Sequence, residues 1–514
     1  MNSSDLERAG RRLWVGIRGP ALDAETQAHL LDLKPGGIVL FRRNVESKDQ
    51  VRELIADIRA LLPSPVVFSV DHEGGLVTRF HRELTVFPGN MALGAAAFRE
   101  PSMGVFLGEQ QGEISARELA DLGFDVNLAP VLDLASTGDN PGITIRSFGA
   151  PSELVCELGA ALVRGTLRGG IHPSLKHFPG KGEATVDAHL DLPVIPDGDQ
   201  EPHLAPFRRC LEDGASVVMT SHVIFKAMDA ELPATLSPAV VTGLLRGRMG
   251  FRGIVVTDDM EMGAMQKHYG FDAMIRGASE AGHDVFCICH TYDLQKRARD
   301  LVAQGLAEGA PWVGDADAVD ARLRALVPPR SEQRSTLPSG SSLAEAIAGR
   351  AITVHEDPRN LLPIRDRRTL LLLPTLTSLT GVENPLRGEE DGSELVAALG
   401  EGVTVHPLSM APSAAEIADA LERAKGFERL LVVTTNARFL PAQRALLCAA
   451  VEQHPGAIHL AIRSPFDAEV LPKDAPATVV LTYGFRPVQL RALADVLLGK
   501  VQAYGRCPVG IRRN

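Results

Sequence analysis

A chain of 514 residues, 45% hydrophobic and 23% charged, has a globular composition with enough apolar residues for a sizeable core. A formal net charge of -11 argues against nucleic acid or an anionic membrane as the main partner. The six cysteines (Cys156, Cys210, Cys287, Cys289, Cys448, Cys507) form no CxxC pair, the first residues lack a signal-peptide run, and no stretch approaches the roughly 20 apolar residues of a membrane span, so a cytoplasmic, soluble protein with free thiols is expected.

From Leu13 onward the chain repeats one pattern: a short β-rich run, a polar or glycine-rich stop, then a helix-like stretch. The runs at 13–17, 37–41, 66–70, 126–129, 174–177, 216–220, 254–257 and 284–288 predict eight strands. Amphipathic stretches such as 48–62, 104–122, 153–168 and 204–213 lie between them. Strands alternating with helices imply a parallel sheet with right-handed crossovers, and eight such units predict a (β/α)8 barrel.

In such a barrel the chemistry gathers on the loops after the strands. Strand three ends in Asp71-His72-Glu73-Gly74-Gly75, with Arg79 close behind. Asp133 and Arg146 follow strand four, Lys176-His177 ends strand five, His222 follows strand six, and Asp258-Asp259 follows strand seven. Carboxylates, bases and cations therefore converge on one rim. The loop that opens from strand five and runs to Pro193 carries Lys181, Glu183, Asp187 and His189, with Pro179, Gly180 and Gly182 breaking regular structure. A carboxylate two residues from an imidazole, as in Asp187-Ala188-His189, can orient the ring and stabilise its charged form, which suits a general acid/base.

The stretch 327–342 is rich in Pro and Ser and reads as a linker. The expected division is a barrel over 1–328, a linker over 329–341, and a smaller α/β domain over 342–514. Its predicted strands lie at 352–354, 369–373, 430–434, 458–462 and 479–482, with helices such as 343–350 and 414–424. Neither GxxxxGK[ST] nor GxGxxG occurs, so no nucleotide site and no cofactor are expected.

Asp258 follows an apolar strand and should project into the rim, where a carboxylate can serve as nucleophile, metal ligand or structural acceptor. A metal would need further ligands at defined spacing, which the Asp258-Asp259 doublet lacks, so none is expected. Glycoside cleavage with retention needs an acid and a nucleophile on either side of the bond. Asp258 suits the second role, and His189 held by Asp187 suits the first.

Several motifs carry a family resemblance. KHFPGKGEATVDAH resembles the KHFPGHG…DSH loop of the β-N-acetylglucosaminidase branch of glycoside hydrolase family three. DHEGGLVTRF resembles that branch's DQEGGRVQRF, and GIVVTDDMEM, GGIVLFRRN, NLAPVLD and IRSF also match, in the same order. Asn360-Leu-Leu-Pro-Ile364 and Gly505-Arg-Cys-Pro-Val509 are similar to motifs of the family's second domain. The resemblance implies a retaining mechanism with Asp258 as nucleophile, His189 as acid/base and Asp187 as its partner. It implies that Asp71, Arg79, Arg146, Lys176 and His177 hold a terminal N-acetylglucosamine cut from a cell-wall muropeptide or a chitooligosaccharide. His222 reads as a wall residue rather than a catalyst, and Glu73 as either a sugar ligand or a brace for the Gly74-Gly75 turn.

Three positions depart from the branch pattern: Lys181 stands at its His, Glu183 at its Asp, and Leu76 at its Arg. Lys181 places an ammonium close to the acid/base, either in solvent or facing the acceptor side. Two other functions fit parts of the pattern. A phosphorylase would use the same Asp-His dyad with phosphate as acceptor. A non-catalytic sugar-binding protein should have lost Asp258, Asp187 or His189, and all three are present. The number of subunits is left open.

Overall fold

The computed structural model describes residues 2–184, 192–327, 340–365, 367–376 and 391–513. Eight parallel strands close into a barrel in chain order: β1 (Leu13–Val15), β2 (Gly37–Leu40), β3 (Val67–Val70), β4 (Val126–Asn127), β5 (His172–Phe178), β6 (Val217–Thr220), β7 (Ile254–Asp259) and β8 (Val285–Ile288). β8 closes the ring on β1, with Leu13, Trp14 and Val15 opposite Phe286, Cys287 and Ile288. The strands are mostly apolar because both faces are covered, the exceptions being polar residues such as Lys176, His177, Asp258 and Asp259 on β5 and β7. Val39 turns inward to a cluster with Val67, Val126, Val217, Ile254 and Val285, while its neighbours Ile38 and Leu40 pack outward under the helices.

The helices follow from their apolar spacing. In Lys48–Leu61, Val51, Leu54, Ile55 and Ile58 recur at helical intervals and are buried. Ser47 caps that helix by accepting the Gln50 N–H at 3.1 Å. Burying four such side chains contributes roughly 1.5–3 kcal/mol each.

The predicted eight-strand barrel is observed, with different strand ends. β4 is shorter than the 126–129 run, since the Ala129 N–H turns back to the Asn127 carbonyl at 2.8 Å instead of joining a ladder. β5 is longer than expected, and β7 runs two residues further, so that Asp258 and Asp259 end the strand itself.

The second domain is a six-stranded sheet: β9 (Thr353–Glu356), β10 (Thr369–Pro374), β11 (Val403–Leu408), β12 (Arg429–Thr434), β13 (Ala457–Ala461) and β14 (Thr478–Leu481). Its order is β9-β14-β13-β12-β10-β11, with β9 antiparallel to β14 and the other pairs parallel. Strand β11 was not among the predicted runs. The expected linker at 329–341 lies outside the described residues except at its last two positions, where the helix Ser341–Ala351 begins.

The two halves share apolar core. Leu76, Met91, Ala92, Ala95, Ala96 and Ile145 from the barrel half belong to the same buried cluster as the second sheet. The helix Ser341–Ala351 packs on the barrel-half helix Asn90–Ala97. Backbone bonds cross the same boundary, from the Ala150 N–H to the Pro508 carbonyl at 3.0 Å and from the Arg506 N–H to the Ala95 carbonyl at 3.2 Å. Among the described residues no helix is long and apolar enough to cross a membrane.

Candidate active site

A cavity of about 400 Å³ lies at the C-terminal ends of the barrel strands. Asp71, Arg79, Arg146, Lys176, His177, Lys181 and Asp258 all line it. The arrangement starts at the end of β3, where a tight turn folds the chain back. The Glu73 N–H donates to the Val77 carbonyl at 2.9 Å and the Val77 N–H to the Gly74 carbonyl at 3.2 Å. Gly74 and Gly75 take φ of 83° and 54°, a region that side-chain-bearing residues disfavour. The turn returns Arg79 to Asp71, with an Nη2–Oδ2 distance of 2.8 Å.

Lys176 projects from β5 between two carboxylates, 2.8 Å from Asp71 Oδ1 and 2.6 Å from Glu73 Oε1. Arg146 forks onto the other side of Glu73, with Nε–Oε2 of 2.9 Å and Nη2–Oε1 of 2.8 Å. The result is a continuous chain, Arg79–Asp71–Lys176–Glu73–Arg146, in which three cations hold two carboxylates. Burial disfavours charge on Asp71, but Lys176 and Arg79 outweigh it and hold that carboxyl well below the usual range. Glu73 is likewise opposed by burial and lowered by Arg146 and Lys176. Its side chain therefore braces the two cations, where the sequence pattern suggested a sugar ligand or a brace for the glycine turn.

His177 stands beside Lys176, with Nδ1 2.7 Å from Asp133 Oδ2. Burial, reinforced by the nearby charges of Lys181, Arg146 and Lys176, holds its pKa well below 6.5. A neutral ring that donates Nδ1–H to Asp133 presents Nε2 as an acceptor. His222 is fully buried, with Nδ1 2.8 Å from Thr235 Oγ1 and Nε2 3.0 Å from the Asp259 carbonyl. Both ring nitrogens are thus occupied by neighbouring groups of the barrel.

Lys181 points inward rather than to solvent; its side chain is 12% exposed and its Nζ lies 3.5 Å from Asp258 Oδ2. Its backbone is held on both sides, the N–H by Asp133 Oδ1 at 2.6 Å and the carbonyl by Asn140 Nδ2 at 2.8 Å. The other Asp258 oxygen accepts the Asp259 N–H at 3.0 Å. Glu183 accepts from Ser136 Oγ at 3.1 Å, and Leu76 is buried in the core shared with the second sheet. Asp187 and His189 lie outside the described residues.

Another wall was not predicted. Arg43 Nη2 donates to the Cys289 carbonyl at 2.7 Å, and the guanidinium lies 4.5 Å from the centre of the Phe41 ring. His290 Nε2 lies 3.2 Å from Asp259 Oδ2, and that hydrogen bond raises the His290 pKa. Arg43, Cys287, Cys289 and His290 all line the cavity. Arg43 and His290 come soon after β2 and β8, so the strand-end rule that found Asp71 would also have found them. Among the described residues no group of three or more His, Cys, Asp or Glu side chains is placed to hold a metal ion.

Residues 8–311, more than half of the chain, match the model of the N-terminal domain of glycosyl hydrolase family 3. The chain belongs to that family. A β-hexosaminidase of Stenotrophomonas maltophilia strain R551-3 is 37% identical over 281 residues, covering 54% of this chain and 83% of the relative. A β-hexosaminidase of Xylella fastidiosa strain M23 is 35% identical over 305 residues, covering 59% and 90%. The solved family 3 β-N-acetylglucosaminidase of Paenibacillus sp. strain FPU-7 superposes with a TM-score of 0.90 at 33% identity, covering 99% of both chains. The protein is thus an enzyme of the glycoside hydrolase class.

Proposed function

We propose that the chain is a retaining exo-β-N-acetylglucosaminidase. The observation that carries this reading is Asp258 at the end of β7, facing a cavity whose other side is the Arg79–Asp71–Lys176–Glu73–Arg146 chain. The names of the relatives support the sugar. Asp258 attacks the anomeric carbon and forms a covalent glycosyl-enzyme while His189, oriented by Asp187, protonates the departing oxygen. His189 then takes a proton from water, and the hydroxide equivalent releases the sugar with its β configuration retained. Asp71 accepts from sugar hydroxyls, Arg79, Arg146 and Lys176 donate to them, and neutral His177 accepts through Nε2. The six free cysteines suit a reducing compartment, and we place the enzyme in the cytoplasm.

The test is turnover of 4-nitrophenyl β-N-acetylglucosaminide, with the first-formed anomer read by NMR. The β anomer is expected, and Asp258→Ala should lower kcat by at least about a thousandfold with the circular dichroism unchanged. An α anomer, or near-normal turnover by the variant, overturns the assignment. His189→Ala should lose far more on a natural sugar alcohol than on nitrophenolate, which leaves without needing a proton. Release of N-acetylglucosamine from a muropeptide and from a chitooligosaccharide, measured side by side, separates the two natural substrates.

One observation favours a second acceptor. When Asp258 becomes an ester its negative charge disappears, and the Lys181 ammonium, 3.5 Å away, loses its counter-charge. An incoming phosphate would restore the balance. Formation of N-acetylglucosamine 1-phosphate in phosphate buffer supports phosphorolysis; the free sugar alone supports hydrolysis.

A further inference from the structure

The second domain sends one arginine into the loop that builds the sugar pocket. Arg486 follows β14 and precedes the helix Pro487–Leu497, and it is 3% exposed. Its Nε donates to the Gly75 carbonyl at 2.6 Å, and its Nη1 lies 3.2 Å from His81 Nδ1. The base of this arm is fixed on its own side. The Arg486 N–H reaches Gln489 Oε1 at 3.3 Å, Gln489 Nε2 reaches the Thr482 carbonyl at 3.0 Å, and Tyr483 Oη donates to Thr353 at 2.8 Å.

Gly75 is the tip of the turn between Asp71 and Arg79, so the guanidinium holds the apex of that hairpin. On the barrel side the tip is also tied by the Gly75 N–H to the Phe87 carbonyl at 2.8 Å. Every other bond in the Arg79–Asp71–Lys176–Glu73–Arg146 chain depends on where this hairpin puts Asp71, Glu73 and Arg79. A charge-assisted hydrogen bond to a buried carbonyl is among the stronger ties available to a loop tip. Arg438 makes a second, more exposed tie, with Nη2 2.6 Å from Asp139 Oδ1. Partly exposed ion pairs of that kind contribute little.

We propose that Arg486 is a positioning residue of the active site: the second domain acts through it to hold the Asp71–Arg79 hairpin in its sugar-binding geometry. The inference rests on the N-acetylglucosaminidase reading for its kinetic consequence, but not for its structural one.

The test uses the full chain and three variants. Arg486→Ala removes the tie, Arg486→Lys keeps the charge but not the forked geometry, and Leu490→Ala empties core in the same helix while leaving the Arg486 side chain in place. Hydrogen exchange over residues 73–82 reads the tie whatever the substrate proves to be. It should rise at least about tenfold in Arg486→Ala and stay at the wild-type rate in Leu490→Ala. On 4-nitrophenyl β-N-acetylglucosaminide, Arg486→Ala should raise KM roughly tenfold or more, with a smaller change in kcat, because loop misplacement of about an ångström weakens binding groups first. Arg486→Lys should fall between wild type and Arg486→Ala, and it takes over the test if the alanine variant does not fold. Unchanged exchange and KM in the Arg486 variants, or equal changes in Leu490→Ala, overturn the proposal. A wild type without activity on the sugar refutes the functional reading alone, since the exchange result still decides the tie.

Discussion

The Lys181 ammonium lies 3.5 Å from the Asp258 carboxylate, and hydrogen bonds on both of its own peptide groups hold it there. The pair is partly sheltered, so the charge is felt more than at an open surface. Lys181→Ala should raise KM for an anionic aglycone, or for phosphate as acceptor, by about fivefold to tenfold, from roughly 1 kcal/mol of lost attraction. Neutral chitobiose should be nearly unaffected. Steady-state kinetics on one neutral and one anionic substrate across a salt series checks this, and equal losses on both would make Lys181 a bystander.

Gly182 fixes that placement from the next position. A Cβ there would stand 1.7 Å from the Leu134 carbonyl oxygen, so Gly182→Ala must lift the loop from its seat. Because both Lys181 and the segment leading to His189 follow the loop, kcat/KM should fall about a hundredfold. Thermal unfolding monitored alongside should drop by only a few degrees, since the residue lies in a loop rather than a barrel strand.

Arg146→Lys keeps the charge and loses the fork. A single ammonium cannot satisfy both Glu73 oxygens, which are buried and of which only Oε1 also meets Lys176. The expected cost is about 2–4 kcal/mol of stability, together with a higher KM for the sugar. Denaturant unfolding of wild type and variant measures the first quantity, and an unchanged midpoint would contradict it.

Acid should unfold the protein from its histidines before its carboxylates. Burial lowers the pKa of His29, His72, His172, His177, His222, His283, His355 and His459. His72 falls to about 4, and His283 and His459 to about 3. Below about pH 6.5 the unfolded chain takes up protons that these folded rings refuse, so stability falls with pH, by up to roughly 1.4 kcal/mol per pH unit for each. His290 and the buried Asp133 and Asp467 (the last raised to about 6) work the other way, binding protons more readily when folded. Eight groups against three leave the histidines dominant. The melting temperature should be level between pH 7.5 and 8 and fall between about pH 6.5 and pH 4. A melting temperature that holds or rises from pH 7 to pH 5 would refute this.

The barrel was legible because most of its strands are buried on both faces and read as short apolar runs, with site residues interrupting β5 and ending β7. β11 was not, since it is an edge strand, half-exposed at most positions, with Pro407 in its sequence. Asp258 could be found from its place after Ile-Val-Val-Thr, whereas the direction of Lys181 depended on Asp133 and Asn140, both more than 40 residues away. Arg486 left no trace in the sequence. Its partner is a backbone carbonyl 411 residues earlier, and a carbonyl is present at every position.

The helix Asn90–Ala97 belongs to the barrel half by chain order, but Met91, Ala92, Ala95 and Ala96 belong to the core of the second sheet. Encoded as separate polypeptides, the two halves would each carry an apolar face needing the other, as in obligate hetero-complexes. A gene split between them should yield one heterodimer that purifies together, while either fragment expressed alone should be lost to aggregation.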